Sequence, residues 1–598
     1  MSFSRISHPF FVVGAPLLLA SMATATPVTG KYNDKPGDGF APPKGVYSVG
    51  HTAEFQRNGA GNPAAPGSGL AISGSTLQVT GGLFKDNKNF GIHTQARSQT
   101  IVNGGIFQDN TLGLLVNSRS HAVINGGNFA NRTLNVWAAN YSRVALKNGF
   151  FNCYGDLSNF GELNSSGELD KVAAGLVLSQ RSFGIISGGT FVGYGSPISV
   201  GVYVLSDSSF IATNGRFINL IRGVNLYDAK NSIISGGTFG FYRSENVADF
   251  LNGSSGVFTC SSQLEVTGGT FTGNTDGLFA TVHSGRSGTT VINGGNFNKN
   301  LKRGVSGLSS PSQTTRITIN SGSFSGNGTT TFLDGDPNLD NYSGGAVFFN
   351  GTKALINDGR FKGNASTGVV ALGPKSFVQI NNGDFRSNGK AAYEGGPVFG
   401  RGAYIHSGAK ALINDGNFSS NGIGVQIGLT LPPTDESLNP GGEATINGGV
   451  FHNEVYAVNA QTGSKCDITG GDFRAQASVH SRSFNGLTRP TRVRVFGGKF
   501  RSSQFDFLAR SGSTIELTGV FDGYDNSRGS IVLPPGVGRL TGQLKLSDQR
   551  QNFSYRSEGN GRIILRPTNP PVSQSAPATS SAPTRVSTPA KSPSGASS

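Results

Sequence analysis

The sequence predicts an all-β chain, a parallel β-helix solenoid of about seventeen rungs. The first observation is a short phrase that keeps returning, as in Ile124-Asn125-Gly126-Gly127-Asn128-Phe129, Ile292-Asn293-Gly294-Gly295-Asn296-Phe297 and Ile446-Asn447-Gly448-Gly449-Val450-Phe451. Anchored on the phenylalanine it occurs seventeen times between Phe84 and Phe521, at spacings of 21 to 40 residues. Such a period marks a solenoid, and the longer spacings read as insertions into a basic unit. Second, the residues leading into the phrase alternate apolar and polar, as in Leu264-Glu265-Val266 and Val493-Arg494-Val495, which is the period of a strand with one face inward. Third, 89 of 598 residues are glycine, about 15% against a usual ~7%, without a collagen period. No stretch has helical periodicity.

The N-terminus reads as a secretory signal over residues 1–25. Arg5 and His8 precede the apolar run Phe10 to Ala20, and Ala23-Thr24-Ala25 supplies a small-x-small cleavage pattern. The run is too short to span a bilayer, and no later stretch approaches ~20 apolar residues. A secreted, extracellular or cell-surface location follows, with no membrane span. Residues 26–71, rich in Gly, Pro and Ala, are expected to cap the first rung. Residues 72–566 form the helix with closing strands near Ile531–Leu533, Leu540–Leu546 and Ile563–Leu565. Residues 567–598, made largely of Ser, Pro, Thr and Ala, read as a disordered tail.

Each position in the phrase has a physical reading. The glycines turn the chain, and the phenylalanines point inward to stack rung on rung. Asn, Thr or Ser four residues before the phenylalanine, and Asn three residues after it (Asn87, Asn110, Asn274, Asn300, Asn327, Asn364, Asn388, Asn421), suit amide ladders. Cys153, Cys260 and Cys466 are far apart and read as buried single thiols rather than a disulfide framework or metal site.

The rung Ile-Asn-Gly-Gly-x-Phe-x-x-Asn resembles that of the right-handed parallel β-helix, or pectate-lyase-like, superfamily over about residues 50–566. The resemblance implies polysaccharide handling along the side of the rod, with insertions as walls. The Asn274-Thr275-Asp276 phrase matches the first catalytic phrase of the polygalacturonases in that superfamily. Their Asp-Asp pair, Gly-His-Gly and Arg-Ile-Lys have no counterpart, and Asn274 is also explained as a ladder residue.

Lys and Arg exceed Asp and Glu by 15, or by 14 once Arg5 leaves with the signal. That excess favours acidic polysaccharide or another anionic surface as partner, and it also serves solubility. No nucleic-acid motif is present. Insertions at 152–174, 240–262, 328–346, 389–404 and 428–443 gather carboxylates and aromatics. Candidate acids are Asp276, Asp334, Asp336 and Glu394, and candidate sugar contacts are Tyr154, Tyr342, Tyr393, Lys390 and Arg401. Lys390, Arg401 and His406 are expected to approach one another on adjacent turns. No cofactor is identified, and Asp334 to Asn338 is too short for a calcium loop. Sequons include Asn131, Asn140, Asn252, Asn350 and Asn417. The expected function is binding or organising acidic polysaccharide. The alternatives are a polysaccharide lyase, hydrolase or epimerase, and an adhesin-like rod.

Overall fold

The computed structural model describes residues 25–59, 67–154, 172–194, 198–205, 207–242, 253–283, 285–328, 342–389, 400–429, 441–483, 490–519, 531–533, 535–540 and 553–567. These residues form an all-β parallel solenoid of three long sheets. In each rung the chain passes through sheet A (as at Thr76–Val79), sheet B (Leu83–Lys85) and sheet C (Phe90–Gln95). Each strand pairs in parallel with its equivalent one rung later. Among the described residues only the closing strands Ile531–Val532 and Gly536–Leu540 pair antiparallel, which ends the parallel addition.

The inner column of sheet B is phenylalanine throughout. Seventeen rings, from Phe55 to Phe500, stack with centroids 4.4 to 5.1 Å apart, for example Phe107 on Phe129 and Phe297 on Phe324. Phe55 opens the stack one rung before the repeat phrase becomes legible, because Thr52-Ala53 stands where other rungs carry the glycine pair. Phe521 lies outside the described residues. Gly126 and Gly127 show why the pair recurs. A Cβ on Gly126 would sit 2.8 Å from the carbonyl oxygen of Asn103, and Gly127 has φ +113°. One apolar cluster runs from Val28 to Leu565.

Amide ladders follow the corners. Between sheets A and B, Asn320 Nδ2 donates to Asn293 Oδ1 (2.7 Å), and Asn357, Asn381, Asn414 and Asn447 continue the series. Between sheets B and C, Asn87 Nδ2 donates both to Asn110 Oδ1 (2.8 Å) and to the carbonyl of Phe55 (2.9 Å). The same pattern holds from Asn300 to Asn421. A serine column between sheets C and A does equivalent work, Ser98 N–H donating to Ser120 Oγ (3.1 Å). All three cysteines are buried and free. Tyr32 stacks on Phe55 at 5.1 Å and covers the first ring.

Sheet C differs from its neighbours. Strands such as Ala173–Leu178, Gly344–Phe349 and Thr367–Leu372 are buried on both faces. Their outward side chains form apolar clusters separate from the interior, one around Val177 and Tyr203 and another around Val347, Phe349 and Tyr404.

Candidate functional site

Four of the five expected insertions depart between a strand of sheet B and the next strand of sheet C: after Phe150–Asn152, Thr238–Gly240, Ser323–Ser325 and Asp384–Arg386. The fifth departs between Ile423–Ile427 of sheet C and Glu443–Ile446 of sheet A. One edge of sheet C thus borders most of the inserted chain. Asp334, Asp336, Glu394, Tyr393, Lys390 and Asn252 lie outside the described residues.

The outward face of sheet C collects three of the remaining candidates. In its first register column Arg222, Ser255, Asp276, Arg303, Gly344, Thr367 and Arg401 follow one another on successive rungs. The next residue in these strands is often glycine, because a Cβ on Gly277 would meet the Gly304 carbonyl at 2.5 Å and the Phe297 ring at 3.1 Å. Asp276 is buried, and Arg303 Nη1 lies 3.5 Å from its Oδ2. Burial pushes the Asp276 carboxyl above its ordinary value, and the Arg303 charge opposes that shift. Its other oxygen, Oδ1, has no partner. Ser255 and Arg303 flank it in register, so the column sets no second carboxylate beside it. Asn274 sits in the amide ladder, 3.0 Å from the Phe239 carbonyl.

Tyr342 and Arg401 meet through aromatic rings four rungs further along. Arg401 packs over Tyr404 (4.5 Å), and His406 stacks on Tyr404 (4.4 Å) and on Tyr342 (4.8 Å). The Tyr342 carbonyl accepts from Arg303 Nε at 3.0 Å, which links this group to Asp276. Burial, reinforced by the Arg401 charge, pushes the His406 imidazole down to about 3, so near neutral pH it is uncharged. Asp276 and Arg401 are about 19 Å apart along the column, given ~4.8 Å per rung.

The other candidates are dispersed. Tyr154 is 56% exposed at the corner after sheet B. Asn131 is buried within the ladder, where its Oδ1 accepts from Asn110 and its Nδ2 donates to Asn135. Asn140 and Asn350 stand exposed at turns with φ of 52° and 41°. Asn417 lies on the outward face of sheet B, donating to Asp384. No group of three or more His, Cys, Asp or Glu among the described residues is placed to hold a metal ion.

Two arrangements escaped the sequence reading. At a corner between sheets C and A, Arg286 Nη1 lies 3.7 Å from Asp207 and 3.8 Å from Asp228, while His283 Nε2 meets Asp228 at 3.0 Å. These residues belong to separate rungs, so no local phrase marks them. The second is an outward column of sheet A. Arg316, Lys353, Phe377, Lys410, Glu443, Lys465, Arg492, Thr514 and Arg562 are consecutive in register. They place six cations and one carboxylate along roughly 38 Å. The earlier part of that column, Thr76, Gln99, His121, Arg143, Phe183 and Ser209, carries one permanent charge. Lys410 and Lys465 clamp Glu443 at 2.7 and 3.3 Å yet remain 62% and 70% exposed.

Among the described residues no helix is long and apolar enough to cross a membrane. No family model, curated protein or solved structure matches the chain, so its own surfaces are what speak to function.

Proposed function

We propose that the protein is a secreted rod that binds acidic polysaccharide along its side. The carrying observation is the cation column on sheet A. Its charges recur at the rung pitch of ~4.8 Å, close to the length of one sugar in an extended chain. A polyuronate or sulfated glycan lying along the rod meets a cation at most steps. The exposed ammonium groups retain donors for it, and the column steers polyanions at low ionic strength. The likeness of the rung phrase to the pectate-lyase-like superfamily supports the polysaccharide class. The test is retention on immobilised polygalacturonate and heparin under a salt gradient. Salt-sensitive retention is expected, and the triple variant Lys410→Gln, Lys465→Gln, Arg492→Gln should elute at markedly lower salt. Equal elution of variant and native protein would remove the reading.

A polysaccharide-modifying activity is the second reading, favoured by the buried, partly unpartnered carboxyl of Asp276. Assays for reducing ends and unsaturated uronates across a panel of acidic glycans address it. Silence across that panel removes it.

A further inference from the structure

At the corner leading from sheet C into sheet A, four consecutive rungs place Arg97, Arg119, Tyr141 and Arg181 in left-handed backbone, with φ of 61°, 62°, 62° and 63°. The same corner position is glycine at Gly74, one rung earlier, and at Gly351, Gly408, Gly463 and Gly512 further on. Glycine takes this conformation without strain, whereas large side chains rarely adopt it. The arginines and the tyrosine are therefore held there for what they present. All four are exposed. Tyr141 lies between two guanidinium groups, 5.8 Å from that of Arg119 and 5.9 Å from that of Arg181, and accepts a hydrogen bond from Arg181 Nη1 at 3.0 Å. Arg143 and Lys147 add exposed cations on the strand that follows and just beyond it. The stretches 95–103, 117–125, 139–148 and 179–187, which form this face, hold no Asp or Glu. The first carboxylate past them, Asp207, is engaged by Lys230 at 2.9 Å. Beside the basic ridge runs an apolar stripe. In the outward column two residues beyond that of Arg143, Ile101, Val123, Ala145, Ile185, Ile211 and Ile233 are consecutive in register and partly exposed. Gln78 precedes them and Glu265 follows, so the stripe has two ends. Phe183, also partly exposed, widens it in the Arg143 column.

We propose that this face lies against an anionic lipid surface. The arginines and Lys147 meet the headgroup phosphates, Tyr141 and Phe183 sit at headgroup level, and the isoleucine stripe rests on the acyl boundary. Charge of one sign along the margin of an apolar strip matches such a surface. The face measures roughly 20 by 24 Å at ~3.3 Å per residue and ~4.8 Å per rung, or about 500 Å². That is short of the ~800 Å² each partner buries in a stable protein complex, whereas a bilayer sets no minimum area. An acidic glycan would meet the cations but find nothing to hydrogen-bond along the isoleucines. The face is separate from the cation column, which begins at Arg316 further along sheet A, and the proposal does not rest on the glycan reading.

The test is flotation of the full chain with phosphatidylcholine vesicles, with and without about one-third phosphatidylglycerol. Native protein should float with the anionic vesicles and stay behind with the neutral ones. The corner variant Arg97→Asn, Arg119→Asn, Arg181→Asn keeps the fold, since asparagine tolerates left-handed backbone. It should partition at least about ten-fold more weakly. The stripe variant Ile101→Thr, Ile185→Thr, Ile233→Thr suits a strand and should bind several-fold more weakly. Brominated lipid should quench the emission added by Phe183→Trp and leave that of Trp137, on sheet C, unchanged. The Lys410→Gln, Lys465→Gln, Arg492→Gln variant should float as native protein does, which separates this face from the glycan column. No flotation by native protein, or unchanged flotation of either the corner or the stripe variant, overturns the proposal. Self-association that the stripe variant loses, with no vesicle binding, also overturns it and gives the face to a second copy of the chain.

Discussion

His406 and His480 show how the solenoid treats a titratable ring. Both lie on the outward face of sheet C, yet both are buried. His406 is stacked by Tyr342 and Tyr404 and faces Arg401. His480 is stacked on Tyr456, bonded through Nδ1 to Asn459 at 2.8 Å, and faces Arg510 and Arg482. Burial first, and then the neighbouring arginines, holds each imidazole down at about 3 in the folded chain, against an ordinary value of 6.5. The unfolded chain binds these protons near pH 6.5 and the folded chain does not. Stability is thus complete above pH 6.5 and is lost as the pH falls from there towards 3. At pH 5 the loss is about 2 kcal/mol per histidine. Melting curves between pH 7 and 5 should therefore fall more steeply for the native protein than for the His406→Gln, His480→Gln double variant; parallel curves would show that these rings titrate normally. Neither environment was legible in the sequence. Tyr404 and His406 are near neighbours, but Tyr342 reaches them only because two rungs of sheet C bring it there. The inward phenylalanines and both asparagine columns were legible, because each recurs at a fixed offset within one phrase. Asn131 and Asn453 were missed, since they reach the same ladder from two residues after the phenylalanine rather than three.

At the scale of the strand, alternation identifies sheet A, where every second side chain faces water. It fails for sheet C, whose strands are buried on both faces and read as continuous apolar runs. The outward columns are likewise hidden in one dimension, since Arg316 and Lys353 are register partners 37 residues apart. Variable turn lengths decide which residues share a column, and composition reports only the net excess of charge. Within the sheet A column Glu443 is the single carboxylate. Bonds from Lys410 and then Lys465 hold it below the ordinary carboxylate range. Such exposed pairs contribute roughly 0–1 kcal/mol to stability, so Glu443→Gln should leave the melting temperature nearly unchanged. It should also free both ammonium groups for a polyanion and move elution from polygalacturonate to higher salt. Elution at unchanged or lower salt would show that the column does not contact the glycan.

Across the whole molecule, seventeen rungs at ~4.8 Å give a rod of roughly 80 Å. Its ends are finished differently. Tyr32 lies flat on the first phenylalanine, while antiparallel strands close the other end. Apolar closing strands near the C-terminal end were visible in the sequence, but not how they pair, since antiparallel closure leaves no distinct spacing. A β-helix of about this length follows from the repeat alone. The face that each insertion borders does not, because that depends on which corner of the rung the chain leaves.

The interior amide ladder between sheets B and C is not continuous. It runs from Asn58 to Asn135 and resumes at Asn274. In the rungs of Phe151, Phe191, Phe217 and Phe239 the corner is filled by groups such as Cys153, Leu220 and Phe241. Tension along the axis loads every rung in series, while each ladder amide shares its rung's load in parallel with the backbone bonds. Among the described residues these four rungs lack the interior ladder bond, with only Asn219 Oδ1 accepting from Tyr242 N–H at 2.8 Å between the last two, so they are the mechanical weak link and the rod should part there first when pulled by its ends. In an optical trap the first length released should correspond to chain between about residues 143 and 262. An initial release from either end would place the weak link elsewhere. The rod is in this sense two stiff segments joined by a seam that can yield while both remain wound.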